Sequence, residues 1–430
     1  MSKPMTKPAP RPWKGQLKAS TPAMIDHSFL PAGPKAMGDP KPGRSRLPSL
    51  TGLRFFAALL VFGFHITLSA SPIPPNSAIN PFADGTVADS LEWIFSKAGY
   101  LGVSFFFVLS GFVLTWSNKA HEPHTAFWRR RLMKIFPNHL VMWALAMLLF
   151  AAPITRPLGW VPNLFLLHSM FPQGDVYVSV NPPSWTLCSE LLFYLLFPVI
   201  IVGLRKIAPA RLWWWAGGMV AGMVGVQLIT LYLIPSTPKS PITPVSVTQF
   251  WFGYIFPVPR MFEFVLGAVL ALIVIAGRWA PIKIWQALVL CAAGYVAALF
   301  LPFVWGFSVA TIVGVGALIG SVATADINGS SRFLATRTVR WLGEVSFGFY
   351  LCQGVVIFYG RTLTGGHTYS TPVALVVVAA FLGATVLAGW GLFTLVEQPM
   401  MNRWARKRPK KGAVPVAPPE ADLKPSVRVS

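Results

Sequence analysis

Two ionisable residues, Arg54 and His65, stand eleven positions apart in the first long apolar stretch of the chain. In an α-helix this spacing places them within about 20° of one face, with His65 about 16 Å farther along the axis. A neutral imidazole suits general-base chemistry near pH 7, and a guanidinium suits the binding of phosphate groups. Two interpretations stay open: a base with an anion site on one face, or an arginine that extends to the membrane surface and a packing histidine.

A second candidate, Glu190, lies in the apolar stretch that opens with Ser184 and Trp185. A carboxylate at membrane depth is costly, so it is a functional candidate by default. No lysine or arginine stands three or four positions away to neutralise it along a helix. We expect Glu190 about one to two helical turns below the outer surface, a depth from which it can reach His65.

Two further groups of charged residues accompany apolar stretches. Arg260 and Glu263 are three residues apart, so they share a helix face and can pair, either as a structural ion pair or on the acceptor side of a site. Arg131 and Lys134 precede Pro137 in a stretch that we predict to be a cytoplasmic loop. Two interpretations stay open: together with Arg54 they bind phosphate groups at the cytoplasmic side, or they are ordinary positive charge beside lipid headgroups.

The elements that must position these residues are membrane helices. Of the 430 residues, 54% are hydrophobic and 12% are charged, where a soluble domain carries about 25% charged residues. The fold class is therefore all-α, a polytopic integral membrane protein. The membrane domain is predicted over residues 48–405, between disordered basic tails at 1–47 and 406–430. We predict ten spans, at 50–69, 99–117, 136–152, 185–204, 212–234, 259–276, 284–301, 307–324, 341–360 and 373–396.

The distribution of lysine and arginine predicts the orientation of these spans. With the N-terminus inside, 30 of the 36 basic residues fall on the inner side. The outer loops then hold four, namely Lys97, Arg156, Lys239 and Arg361. Both termini are therefore expected in the cytoplasm, with the chain in the cell membrane. Two aromatic segments, 160–171 and 247–257, are too short to span and are predicted to be interfacial or re-entrant.

The net charge of +22 does not indicate nucleic-acid binding, because the basic residues flank the apolar runs and fill both tails. Cys188, Cys291 and Cys352 all lie within apolar segments. This is neither a disulfide framework nor a zinc pattern, and we expect no metal.

Taken in order, the motifs resemble those of the acyltransferase-3 family of integral membrane acyltransferases. The resemblance covers about residues 47–405. Six elements carry it: Arg54 with His65, Tyr100–Phe112, Arg131–Pro137, Ser184–Glu190, Leu342–Leu351 (which includes Tyr350), and Val396–Pro399. Two positions depart from the family pattern. Lys134 replaces an arginine and loses its planar fork. Gln353 stands where the family often has histidine, so we assign it no catalytic role.

The resemblance implies transfer of an acyl group, usually acetyl, from coenzyme A to a hydroxyl of an envelope glycan or of a glycosylated, macrolide-type natural product. His65 would then be the general base, and Glu190 would orient the imidazole or hold the acceptor. Arg54, Arg131 and Lys134 would hold the donor's phosphates. The remaining candidates, expected to be acceptor-side or structural, are Ser184, Trp185, Arg260, Glu263 and Tyr350. Acyl-CoA is expected as a co-substrate, with no permanently bound cofactor.

A proton-coupled transporter or flippase is the alternative from another class. Charged and histidine residues inside a membrane suit a carrier as well as an enzyme. The test that separates them is whether the purified protein splits acetyl-CoA, which a carrier has no reason to do.

Overall fold

The computed structural model describes residues 47–119, 122–240, 243–330 and 333–405. Apart from Leu47, the two predicted disordered tails lie outside the described residues. In the described ranges the chain forms sixteen α-helices and no strand. The helices are α1 (Pro48–Ile66), α2 (Gly85–Phe95), α3 (Ala98–Ser117), α4 (His124–Ala146), α5 (Pro157–Leu164), α6 (Gly174–Tyr177), α7 (Trp185–Leu204), α8 (Leu212–Tyr232), α9 (Val247–Phe250), α10 (Pro257–Ile275), α11 (Ile284–Phe300), α12 (Ile312–Ile327), α13 (Arg337–Gln353), α14 (Gly360–Leu363), α15 (Thr371–Leu392) and α16 (Gln398–Met400).

Nine helical segments in the described ranges are long and apolar enough to cross a bilayer. A tenth apolar helix, α11, has 17 residues, or about 26 Å of rise, against a hydrocarbon core of about 30 Å. Each of the ten predicted spans overlaps one of these segments. The all-α, polytopic membrane fold is therefore confirmed. The short segment at 247–257 forms α9 and a π-helical turn, Trp251–Ile255, that lead directly into α10.

The prediction that Arg131 and Lys134 lie in a loop is wrong, because both residues lie on α4. This helix begins at His124, directly after Pro123, and continues through Pro137. A proline inside a membrane helix is tolerated where neighbouring groups satisfy the backbone atoms near it. Here the Asn138 side chain donates to the carbonyl of Lys134 at 2.9 Å. The two cations consequently have fixed places on a helix.

Glycines bring the central helices close together. A Cβ atom on Gly111 of α3 would lie 1.8 Å from the carbonyl oxygen of Phe264 on α10, and one on Gly267 would lie 1.8 Å from that of Val108. Likewise, a Cβ on Gly343 of α13 would lie 1.9 Å from the carbonyl of Thr51 on α1. Backbone contact of this kind is how membrane helices associate without a hydrophobic driving force. It sets α1 against α13 and α3 against α10 in fixed register.

Arg361 holds together the loops at the His65 end of α1, which we call the outer end after the predicted orientation; the end near Arg54 is the inner end. The Arg361 side chain is fully buried. Its Nε donates to the carbonyl of Ile79 at 2.8 Å, and its Nη2 donates to that of His367 at 2.7 Å. A backbone bond from Ala83 to Tyr369, 2.8 Å long, joins the same two loops. The outer loops are therefore tied to each other.

Candidate active site

A cavity of about 310 Å³ opens among the outer ends of the helices, and we call it the outer cavity. Its wall is mainly apolar and includes eight aromatic rings, with a few polar side chains among them such as His65, Glu92 and Thr243. The rings that line it belong to Phe64, Tyr100, Trp185, Phe250, Tyr254, Phe303, Tyr350 and Phe358. Aromatic faces pack well against sugar rings and apolar ring systems. The outer cavity is therefore suited to a cyclic, partly apolar ligand.

His65 stands in the last turn of α1, half-buried in the wall of this cavity. Its Nδ1 lies 2.7 Å from Oε1 of Gln353 at the end of α13. The imidazole ring also meets Phe358 edge-on, with ring centroids 5.3 Å apart. The sequence analysis assigned Gln353 no catalytic role and did not predict this contact, although an amide inside an apolar helix is itself a signal that a polar partner is near.

A smaller cavity, of about 30 Å³, lies toward the inner end and is called the inner cavity. Arg54 and Glu190 are the charged residues in its wall. Val103 and Tyr350 line both cavities, so these two side chains form the partition between them. The Tyr350 hydroxyl donates to the carbonyl of Pro183 at 3.1 Å, and this bond holds the ring in place. One side of this partition therefore borders the cavity that contains His65, and the other side borders the cavity that contains Arg54 and Glu190.

The other two predicted donor-binding cations come to the same inner region. Arg54, Arg131 and Lys134 all lie within electrostatic reach of Glu190. The Arg131 guanidinium carbon is 5.7 Å from the centre of the Tyr194 ring, a cation–π distance. Within the described residues, none of the three cations forms an ion pair. Two carboxylates, those of Glu190 and Glu397, lie within electrostatic reach of these three cations, which leaves an excess of positive charge in the inner region.

Glu190 and His65, the two predicted catalytic residues, line different cavities. Glu190 Oε2 accepts a hydrogen bond from the Tyr194 hydroxyl at 3.1 Å. Glu190 was expected either to orient the imidazole or to hold the acceptor, and Nδ1 of the imidazole is instead held by Gln353. The structure thus groups Glu190 with the cations and separates it from the histidine.

Arg260 and Glu263 form an ion pair of 2.9 Å with exposed side-chain fractions of 3% and 1%. The Ser104 hydroxyl donates to Glu263 Oε1 at 2.8 Å. The Arg260 guanidinium also lies over the Tyr254 ring at 4.9 Å. Because Tyr254 lines the outer cavity and the pair does not, this pair stands behind the cavity wall. A buried pair of this kind is costly to break and fixes the rings in front of it.

Ser184 and Trp185, the remaining acceptor-side candidates, have different surroundings. Trp185 lines the outer cavity, whereas Ser184 is fully buried. The Ser184 hydroxyl lies 3.3 Å from Asn163 Nδ2 and 3.3 Å from His168 Nε2. Burial lowers the pKa of His168 to about 3, so this ring is neutral at every physiological pH. The Ser184 contacts therefore brace the loop before α7.

These features define a class: a polytopic helical membrane protein with a cationic inner site and a histidine-bearing outer site separated by a thin partition. The sequence pattern of the acyltransferase domain matches residues 47–392. The chain belongs to the acyltransferase-3 family, and it is a membrane O-acyltransferase.

The chain is similar to several proteins of known name. The chain is 39% identical over 388 residues to the acyltransferase MdmB of Streptomyces mycarofaciens, a match that covers 87% of this chain and 97% of MdmB. It is 23% identical to the peptidoglycan O-acetyltransferase OatA of Listeria monocytogenes, over 73% of this chain and 50% of that protein. It is 25% identical to the exopolysaccharide production protein ExoZ of Rhizobium meliloti, over 73% of this chain and 93% of ExoZ. No solved structure matches the chain.

Proposed function

We propose that the protein transfers an acyl group, most simply acetyl, from acyl-CoA at its inner end to a hydroxyl of an acceptor in the outer cavity. The observation that carries this proposal is the partition of Val103 and Tyr350, with unpaired cations near one side and His65 on the other. A donor with a charged head and a long arm suits this arrangement. Its phosphates stay with the cations while its thioester extends toward the imidazole.

The donor side is assigned to Arg54, Arg131 and Lys134. Coenzyme A carries several phosphate charges, and charge-assisted hydrogen bonds to phosphate are among the strong polar contacts in proteins. Glu190 lies among these cations and is held by Tyr194. We therefore assign Glu190 to the ordering of the donor site, because it lines the inner cavity while His65 lines the outer cavity and is held by Gln353.

The chemical step needs one base. The imidazole of His65 accepts the proton of the acceptor hydroxyl while the hydroxyl oxygen attacks the thioester carbonyl. The resulting tetrahedral intermediate collapses, the carbon–sulfur bond breaks, and the thiolate of coenzyme A leaves. The proton on the imidazole then passes to the thiolate. The products are an ester and free coenzyme A, and His65 is neutral again.

The acceptor class follows from the outer cavity and from the relatives. A volume of about 310 Å³ stands at the lower end of the range of about 300–1,000 Å³ for ligand pockets, so the cavity holds one or two rings of a larger molecule. Both a sugar at a glycan end and a sugar or hydroxyl of a macrolide-type product meet that description. We propose these two acceptor classes, with the rest of the molecule outside the cavity.

The experiment that tests this function uses purified full-length protein with acetyl-CoA labelled in the acetyl group. A glycosylated macrolide and a muropeptide disaccharide serve as acceptor probes. The expected result is labelled ester on one probe and an equal amount of free coenzyme A. Mass spectrometry of secreted metabolites and envelope glycans, with and without the intact gene, then identifies the natural acceptor. Binding without any splitting of acetyl-CoA, together with unchanged metabolites and glycans, would instead indicate a carrier.

A further inference from the structure

The side-chain amide of Gln353 uses both of its ends, although the residue is fully buried. Its Nε2 lies 3.3 Å from the carbonyl oxygen of Ala58, and its Oε1 lies 2.7 Å from Nδ1 of His65. A backbone carbonyl can only accept a hydrogen bond. The amide nitrogen therefore faces Ala58, and the amide oxygen must face the imidazole.

This orientation determines where the imidazole carries its proton. An amide oxygen also only accepts, so Nδ1 of His65 must be the protonated nitrogen. A neutral imidazole has a single N–H, which leaves the lone pair on Nε2. We infer that Gln353 is a positioning residue that selects the tautomer of His65 in which Nε2 accepts the acceptor's proton. This inference rests on the proposed function of His65 as the base.

The backbone around Gln353 is arranged to hold this contact. A π-helical turn, Gly354–Tyr359, begins directly after it, and such wide turns are frequent at functional sites. Asn181 Nδ2 donates to the carbonyl of Leu351 at 3.1 Å. A Cβ on Gly354 would lie 1.9 Å from Asn181 Oδ1, so the chain at this point has little space to shift. The Gln353 side chain is thus anchored from its own backbone as well as from Ala58.

A test separates tautomer selection from simple packing. Gln353→Met keeps length and volume but removes the amide, and Gln353→Glu keeps an oxygen acceptor toward His65. The matched control is Gln227→Met, which removes another buried glutamine, one whose Nε2 donates to the carbonyl of Gly253 at 3.2 Å. Each purified variant is assayed with acetyl-CoA and the acceptor probe that the wild-type enzyme acetylates.

We expect Gln353→Met to lower kcat about 10- to 100-fold, part of the contribution of the base itself, with KM for both substrates within about twofold. Gln353→Glu is expected to restore kcat to within about fivefold of wild type, and Gln227→Met to leave it within about twofold. If Gln353→Met does not fold, Gln353→Asn, which keeps the amide but is too short to reach both partners, is expected to show the same loss of kcat.

The two proposals fail in different ways. A wild-type kcat in Gln353→Met or Gln353→Asn, combined with an inactive His65→Ala, would overturn the role of Gln353 alone. A fall of kcat in Gln353→Glu equal to that in Gln353→Met would overturn it too, because the oxygen acceptor would then be irrelevant. Full activity of His65→Ala would instead overturn the proposed function.

Discussion

The two cavities on either side of Tyr350 differ in nearly every physical respect. The outer cavity is about 310 Å³ in volume, its wall is mainly apolar with eight aromatic rings, and its histidine is held by a neutral amide. The inner cavity is about 30 Å³ in volume and has Arg54 and Glu190 in its wall, with Arg131 and Lys134 nearby. One region is therefore suited to the stacking of rings and the other to the binding of anionic groups. In the proposed reaction, the two substrates meet at the partition from opposite ends.

The charged groups are concentrated around the inner cavity, and their charges nearly balance one another. A cation inside a membrane protein is costly unless a nearby carboxylate or a bound anion balances its charge. Here Glu190 and Glu397 together offer two carboxylates to three cations. A bound polyanion would complete the balance. Around His65, by contrast, the amide of Gln353 orients the ring without adding a net charge.

The largest expected effect is on the outer cavity's base. We predict that His65→Ala lowers turnover about 10²- to 10⁴-fold, because the acceptor hydroxyl then loses its general base. Coenzyme A affinity and the melting temperature should stay near wild type, since the anion site lies beyond the partition. Acyl transfer and thermal unfolding, both measured on one preparation, check this. His124→Ala, at an exposed histidine of α4, is the control. Lowered stability with normal turnover would identify His65 as a packing residue.

A second effect belongs to the inner region. Arg54→Ala and Arg131→Ala should each weaken coenzyme A binding about 10- to 150-fold, since a charge-assisted contact contributes about 1.5–3 kcal/mol. The measurement is the dissociation constant of free coenzyme A for detergent-purified protein. Arg129→Ala removes an exposed cation of the same helix and should change the constant less than about twofold. Equal losses in all three variants would instead indicate general attraction by positive charge.

The smallest effect concerns the aromatic wall. Trp185→Leu should raise KM for the acceptor about 2- to 10-fold, because aromatic packing contributes about 0.5–1.5 kcal/mol beyond burial. The dissociation constant of coenzyme A should not change. Steady-state kinetics with the acceptor varied, beside coenzyme A binding, measure both. Trp214→Leu, at a tryptophan that is 82% exposed, is the matched control. A change in donor binding without a change in acceptor KM would contradict the division between the cavities.

The sequence predicted those features that depend on local geometry. Helical periodicity alone places Arg54 and His65 at opposite ends of one face, and α1 shows that arrangement. The contact between Glu190 and Tyr194 was not predicted, although the two residues are four positions apart and so share a helix face.

The contact of His65 with Gln353 joins residues 288 positions apart and depends on how α1 packs against α13, which no spacing encodes. The continuation of α4 through Pro137 was missed because the tolerance of a membrane helix for proline depends on the surroundings of the helix, which the spacing of residues does not encode.

The side of the membrane from which acetyl-CoA is used distinguishes a donor site at the inner end from one at the outer end. The protein is reconstituted into sealed vesicles, and protease digestion of the terminal tails determines which molecules have their termini outward. Acetyl-CoA, which does not cross the bilayer, is supplied on one side only. We predict acyl transfer when acetyl-CoA is on the side of the termini, and at least about tenfold less when it is on the other. Equal transfer from both sides, or transfer only from the side opposite the termini, would show that the donor does not bind at the inner end.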